Sequence, residues 1–184
     1  MRVLGIDPGS RLTGWGVVEE QGRVLRYLGS GTLVLEGRGE LAVRLARLSE
    51  ECGRLLTAWR PAAVALERAF VARNVQSALR LGEARGAVLA VIGATGVALH
   101  EYAPAAVKLA AVGHGQADKD AIVWGVGRRL GLAEPLATDA ADALALALCH
   151  LQHAPLLAAL YAADGRAAAV ARGPRSAPAR RGSS

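Results

Sequence analysis

Four acidic residues in this chain are placed where a carboxylate can do chemistry. Asp7 ends a short apolar segment just before a Pro-Gly turn, and Glu67 ends a second apolar segment. Asp139 and Asp142 are three residues apart, so on a helix they share one face. Converging carboxylates repel and raise one another's pKa values, and a hard divalent cation such as Mg²⁺ or Mn²⁺ relieves that repulsion. The pattern therefore predicts a two-metal site of the kind that hydrolyses phosphodiesters.

Each of these residues also has a plainer interpretation. Asp7 could be only the side chain of an Asx turn, and its Asp-Pro-Gly motif also fits a phosphate-binding turn of the actin and sugar-kinase superfamily. Glu67 could be an ordinary strand-end glutamate beside Arg68. Asp139 and Asp142 could cap a helix, although the wholly apolar run after Asp142 favours a further role for that residue.

The cationic residues are mostly arginines. Among 22 lysines and arginines the lysines are only two, Lys108 and Lys119, and both lie in one segment. Where arginine is the default cation, a lysine suits a compact phosphate contact, and chance clustering is the alternative. Phe70, the single phenylalanine, lies between Arg68 and Arg73. Its ring could stack on a nucleic-acid base or be buried against the following helix.

The apolar periodicity predicts the elements that must position these residues. Their order, three strands and then helices alternating with strands, is typical of an α/β protein. It indicates a mixed five-stranded sheet, an antiparallel meander plus parallel strands, flanked by helices. Residues 32–35 either continue the third strand or form a further antiparallel partner. We expect strands at 3–7, 14–20, 24–28, 63–67 and 97–102, and helices at 41–59, 74–92, 104–112, 119–130, 138–150 and 155–161.

Composition excludes several classes of protein. With 184 residues, 52% of them hydrophobic and 21% charged, the chain can build a substantial core, which excludes a disordered chain or a disulfide-stapled miniprotein. Its longest apolar run, 86–99, is shorter than the ~20 residues of a membrane span, so we expect no membrane association. Two cysteines without CxxC spacing predict reduced core thiols and a cytoplasmic protein.

The net charge of +6 comes mostly from the end of the chain. Five arginines and no acid follow Asp164, so the part up to that residue has 17 basic and 16 acidic side chains. The charge alone is therefore weak evidence for a nucleic-acid partner. We expect one domain at 1–153, followed at 154–184 by a short helix and a flexible tail rich in Ala, Arg, Gly, Pro and Ser.

Four motifs occur in order along the first 152 residues. They are GIDPGSRLTGWG, ERAFVARNVQSALRLGEARG, the pair VK and GHGQADK, and DAADALALALCH. Together and at this spacing they resemble the RuvC family of Holliday-junction resolvases. The resemblance implies a ribonuclease-H-like fold and a Mg²⁺-dependent endonuclease that makes symmetric paired nicks in four-way DNA junctions during recombination and repair, leaving 5′-phosphates.

The resemblance also implies specific roles for residues and partners. It implies two Mg²⁺ ions per subunit, replaceable by Mn²⁺, held by the catalytic carboxylates Asp7, Glu67, Asp139 and Asp142. It implies DNA contacts from Phe70, Arg73, Lys108 and Lys119. It further implies a homodimer and a branch-migration motor complex as partner, with no membrane partner.

Two other functions remain open from the residues themselves. An actin-like ATPase would share the Asp-Pro-Gly turn, but that fold repeats the turn in a second domain and no second copy occurs here. A nucleic-acid-binding module without activity would not need four aligned carboxylates, which repel phosphate.

The predicted helix at 74–92 has one stripe of small and apolar residues that could form a dimer contact or pack on the protein's own sheet. The stripe consists of Ser77, Ala78, Leu81, Gly82, Arg85, Gly86, Leu89 and Ala90.

Overall fold

The computed structural model describes residues 1–9, 11–35, 37, 39–68 and 75–163. The strands are β1 (Arg2–Asp7), β2 (Leu12–Gln21), β3 (Val24–Val34), β4 (Ala63–Glu67) and β5 (Ala98–Tyr102). The helices are α1 (Leu41–Trp59), α2 (Val75–Thr95), α3 (Pro104–Val112), α4 (Lys119–Leu130) and α5 (Thr138–Ala163). The strands form one sheet in the order β3-β2-β1-β4-β5, which confirms the predicted mixed α/β fold.

β1 lies at the centre of the sheet, antiparallel to β2 and parallel to β4. Ile6 is opposite Leu66, so the next residues of the two strands, Asp7 and Glu67, lie at the same edge of the sheet. β3 runs without a break to Val34 and pairs with β2 along its length. Residues 32–34 therefore continue the third strand, which ends just before Leu35.

Each face of the sheet has its own hydrophobic core, because successive strand residues point to opposite faces. On one face, α1 and α2 contribute Leu48 and Val88, which pack with Leu4 and Ile6 of β1. The regular apolar stripe of α1 explains why that helix forms as predicted.

The other face is covered by α3, α4 and α5. Its core contains Val3 of β1, Val18 of β2 and Leu144 of α5. The two cysteines, Cys52 and Cys149, are buried free thiols in the opposite cores, as their positions in helical apolar stretches predict.

α5 is one continuous helix of 26 residues. The predicted end near His150 and the separate short helix at 155–161 are therefore wrong. Pro155 lies inside the helix. Proline lacks the N–H that would bond to the carbonyl of Leu151, and its ring crowds that carbonyl, yet the helix continues past it to Ala163.

By length and composition alone, the same helix is long and apolar enough to cross a membrane. The segment Thr138–Leu160 has a mean hydropathy of 1.6, and among the described residues it is the one candidate. Half of it is buried inside the molecule. Packing on the sheet accounts for the apolar character of the buried half.

Candidate active site

The four predicted carboxylates come from three elements that meet at one edge of the sheet. β1 ends at Asp7, and the parallel strand β4 ends at Glu67. α5 packs across β1 and β2 and begins at this edge, and its first turns hold Asp139 and Asp142. The prediction that these side chains come from two strand ends and one helix face is confirmed by the fold.

Glycines on β1 and β2 allow α5 to lie almost against the sheet. A Cβ on Gly5 would overlap the carbonyl oxygen of Ala143, and a Cβ on Gly14 would overlap that of Asp139. Gly14 is opposite Asp7 in the β1–β2 register, so this close approach places the start of α5 beside Asp7. Neither glycine was singled out from the sequence. They are visible in the first motif, but the sequence does not show which helix crosses them.

Asp7 shows how much negative charge gathers at this edge. Its pKa is raised from 3.8 to about 7. Burial is the main cause, and three other carboxylates add to it in the order Asp142, Glu67, Asp139, while Lys119 opposes the rise. The charges of the other three predicted acids therefore all reach Asp7, as expected if the four side chains converge at this edge.

Two further carboxylates are also harder to ionise than usual. Burial raises the pKa of Glu67, and the charge of Asp142 adds to that rise. The pKa of Asp142 is raised chiefly by its own burial and also by Asp139. Lys108 lowers both pKa values, and Lys119 lowers that of Asp142. Negative charge thus exceeds positive charge at the site, and the two lysines offset part of it.

Both predicted lysines lie beside the carboxylates. Lys108 of α3 and Lys119, the first residue of α4, line a cleft of about 420 Å³ together with Glu67 and Asp142. The ammonium of Lys108 donates a hydrogen bond to the carbonyl oxygen of Ala117 at 2.7 Å, which holds it over the loop between the two helices. Lys119 is exposed at the mouth of the cleft.

The donor set fits a hard divalent cation. Mg²⁺ takes oxygen ligands, and all four of these side chains are carboxylates, three of which have raised pKa values. Among the described residues, no three His, Cys, Asp or Glu side chains lie close enough together to form a cage of metal ligands by themselves. Such a cage is not required, because Mg²⁺ is usually held by one or two carboxylates plus water and substrate phosphates.

Thr13 supports the turn that follows Asp7 and was not singled out from the sequence. It is fully buried, and its hydroxyl oxygen lies 3.4 Å from both the backbone nitrogen and the carbonyl oxygen of Gly9. A buried hydroxyl needs such partners. The Thr within the first motif was the available signal.

Arg85 belongs to the predicted stripe of α2, for which a dimer contact and packing on the protein's own sheet were both open. Its side chain is only 12% exposed and reaches inward to β4 and β5, so at this position the stripe packs on the sheet. A long side chain can leave the face on which its Cα lies, so helical spacing did not reveal this. Gly82 and Gly86 do face outward, since a Cβ on either would meet nothing within 4 Å among the described residues.

Phe70 and Arg73, predicted to contact DNA, lie outside the described residues, as does residue 74, where the predicted helix at 74–92 begins. Their roles stay predictions.

Comparison with known proteins gives a consistent result over most of the chain. A family model described as crossover junction endodeoxyribonuclease RuvC matches residues 3–150. The crossover junction endodeoxyribonuclease RuvC of Halorhodospira halophila is 49% identical over 160 residues, which cover 86% of this chain and 95% of that protein.

Two solved structures from Thermus thermophilus are also similar. RuvC from that organism has 37% identity and a TM-score of 0.76, with 85% of this chain and 96% of the other covered. The structure of T. thermophilus RuvC in complex with a Holliday junction substrate has 34% identity, the same TM-score of 0.76, and the same coverage of 85% and 96%.

Proposed function

Because the chain belongs to the RuvC family of crossover junction endodeoxyribonucleases, we propose that it resolves four-way DNA junctions by metal-dependent hydrolysis of the phosphodiester backbone. One observation carries this proposal. The charges of Glu67, Asp139 and Asp142 all act on Asp7, and Glu67 and Asp142 line one cleft with Lys108 and Lys119. Acidic groups that would hold metal and basic groups that would hold phosphate thus share one cleft.

We propose that these four carboxylates hold Mg²⁺, two ions per subunit, with Mn²⁺ able to replace it. When bound, the metal supplies charge neutralisation at the scissile phosphate and lowers the pKa of water. The raised pKa of Asp7 means that this carboxyl keeps a proton up to about pH 7 until a cation displaces it. Asp7 and Glu67, on rigid strand ends, would fix the centre, and Asp139 and Asp142 would complete it.

The lysines would bind the scissile phosphate. An ammonium has three donors, and Lys108 uses one of them on the carbonyl of Ala117, which leaves two to face the cleft. Lys119 starts α4, so its position is set by the cap of that helix. Without these two charges, the carboxylates of this edge would repel DNA.

Several finer parts of the proposal come from the family and from the sequence. We propose that the chain acts as a homodimer that makes symmetric nicks and leaves 5′-phosphates, and that Phe70 and Arg73 contact the opened junction. We further propose a cytoplasmic location and a branch-migration motor complex as partner.

The deciding experiment uses the full chain and a synthetic four-way junction labelled on each strand in turn. We expect nicks at matching positions in two opposing strands with Mg²⁺ or Mn²⁺, no nicks with EDTA, and no cleavage of a linear duplex of the same sequence. Products that a ligase can rejoin without kinase treatment would carry 5′-phosphates. A folded protein that binds the junction but never nicks it with either metal would overturn the proposal in favour of a binding module.

A matched pair of variants separates the site from its surroundings. Asp7→Asn should abolish nicking while junction binding survives or tightens, because one repulsive charge is removed. Asp118→Asn is the control, since Asp118 lines the same cleft but accepts a hydrogen bond from the Ala121 backbone N–H at 2.8 Å as the cap of α4. Full cleavage by Asp7→Asn in Mg²⁺ would remove Asp7 from the mechanism.

A further inference from the structure

Arg85 connects three elements next to the candidate active site. From α2, its Nη1 donates a hydrogen bond to the backbone carbonyl oxygen of Glu67 at 2.7 Å. Its Nη2 forms an ion pair with the Oε1 of Glu101 on β5. The side chain is only 12% exposed, so the guanidinium is largely removed from water and depends on these partners.

The first contact acts on the residue that ends β4. Glu67 is the last residue of its strand, and Arg68 after it donates its N–H to the carbonyl oxygen of Tyr102. Arg85 adds a charged hydrogen bond to the carbonyl of Glu67, and charged hydrogen bonds are shorter and stronger than neutral ones. Hydrogen bonds to α2 and to β5 therefore fix the backbone at Glu67, at the point where β4 ends.

The charge of Arg85 also favours the ionised form of Glu67. The guanidinium lowers the pKa of that carboxyl, against burial and the charge of Asp142, which raise it. Arg85 is thus the residue of α2 that supports both the position and the charge of one predicted metal ligand.

We propose that Arg85 is a positioning residue for the metal centre, holding Glu67 in place through its backbone carbonyl and anchoring it to α2 and β5. This inference rests on the proposed function, because it assigns Glu67 to the metal. Removing a hydrogen-bonding partner of a metal ligand commonly lowers the metal affinity 10- to 100-fold.

The fold supplies a matched control at the opposite end of the sheet. Arg2, the first residue of β1, donates from Nη1 to the carbonyl oxygen of Trp59 at 2.6 Å and from Nη2 to Glu19 at 3.0 Å. It therefore joins a strand to a helix with the same chemistry as Arg85. It lies five residues from Asp7, about 16 Å along the strand.

The test compares Arg85→Met with Arg2→Met in the full-length protein. Affinity for Mn²⁺ is measured by calorimetry without DNA, and the Mg²⁺ concentration that gives half-maximal nicking is measured with a four-way junction. We expect Arg85→Met to weaken Mn²⁺ binding and raise the half-maximal Mg²⁺ concentration by tenfold or more. We expect Arg2→Met to change both by less than threefold, although both variants lose thermal stability.

Arg85→Lys keeps the charge but cannot make both planar contacts, so it should restore part of the lost Mn²⁺ affinity. If Arg85→Met does not fold, Arg85→Lys decides, and wild-type metal dependence in that variant overturns the inference. Wild-type Mn²⁺ affinity and Mg²⁺ dependence in a folded Arg85→Met protein also overturn it, whatever the stability loss. A wild-type protein that binds Mn²⁺ but does not nick junctions overturns the proposed function alone, since the metal affinities are read without DNA.

Discussion

Gly14 and Asp139 lie in direct contact where α5 crosses the sheet. A Cβ on Gly14 would lie 3.2 Å from the Cβ of Asp139 and would overlap the carbonyl oxygen of that residue. The missing side chain at Gly14 therefore sets how closely the first turn of α5 approaches β2. Because Gly14 pairs with Asp7, it also sets the separation between the acids of the helix and the acid of the central strand.

Gly14→Ala should accordingly damage the candidate site as well as the fold. Overpacking of this kind costs about 1–3 kcal/mol, and for a chain of this size 1 kcal/mol corresponds to about 2–4 °C in Tm. We expect a Tm several degrees lower and a higher Mg²⁺ requirement for nicking. Gly53→Ala is the control, because a Cβ at that position of α1 meets no described atom within 4 Å and alanine favours a helix. A Gly14→Ala protein with unchanged Tm and unchanged Mg²⁺ requirement would show that α5 tolerates the shift.

The raised pKa of Asp7 predicts a stability that depends on pH and on metal. The pKa of this carboxyl is 3.8 in the unfolded chain and about 7 in the folded, metal-free protein. The folded protein therefore holds this proton more tightly than the unfolded chain does, and its stability falls as the pH rises from about 4 to about 7. In EDTA, Asp7→Asn should have the higher Tm at pH 8, and the difference should shrink towards pH 4. Mg²⁺ should raise the Tm of the wild type more at pH 8 than at pH 5.5, since binding must displace the proton.

The control for this series is Asp118→Asn, which lies in the same cleft but caps α4. Thermal unfolding of the three proteins is followed across the pH range with and without metal. A Tm difference between Asp7→Asn and the wild type that is the same at pH 4 and pH 8 would contradict the assignment of this pKa to Asp7.

His150 predicts the opposite dependence on pH. It is buried, shares a hydrogen bond of 2.7 Å with the hydroxyl of Tyr102, and stacks with His100 at 4.4 Å between ring centroids. Burial, and then the charges of His100 and His153, lower its pKa from 6.5 to about 4. Between about pH 6.5 and pH 4, His150 is therefore protonated in the unfolded chain but neutral in the folded protein. The stability of the fold falls as the pH drops through this range.

Between pH 7.5 and pH 5, this one residue should cost about 2 kcal/mol, or several degrees in Tm. His150→Asn keeps an acceptor near the Nδ1 position for Tyr102 but cannot take up a proton, so its Tm should fall less over this range. His114→Asn, at an exposed position in the loop before α4, should behave as the wild type does. Equal losses of Tm in all three proteins would assign the acid sensitivity to other groups.

The sequence predicts the acids of this site better than their supports. Asp7 and Glu67 end strands that the apolar pattern marks clearly, and the ends of parallel strands meet at one edge by geometry alone. Asp139 and Asp142 share a face through helical spacing, which needs no tertiary information. Gly14 and Arg85 could not be assigned in this way, because their roles depend on which element packs against them. The close approach of α5 to Gly14 leaves no periodic pattern in the sequence. The long side chain of Arg85 can reach a neighbouring element that its position on the helix does not indicate.

The outer face of α2 gives the final prediction, which concerns the proposed homodimer. Symmetric nicking needs two sites at a fixed separation, and one chain has one set of four carboxylates. Ala84, Val88 and Ile92 of α2 are buried in the protein's own core, whereas Gly82 and Gly86 face outward with no described atom near the place of a Cβ. Gly86→Leu should therefore leave the monomer folded but block close approach of a second copy.

Light scattering at micromolar concentration is the measurement. We expect a wild-type mass near twice 19.0 kDa and a Gly86→Leu mass near 19.0 kDa, with Mn²⁺ binding retained and paired nicking lost. Gly53→Leu is the control, since it adds the same side chain at an equally open position on α1 and should stay dimeric. A monomeric wild type would contradict the dimer itself. A Gly86→Leu protein that remains dimeric would place the interface elsewhere, because the leucine side chain could not be accommodated between two helices packed at that glycine.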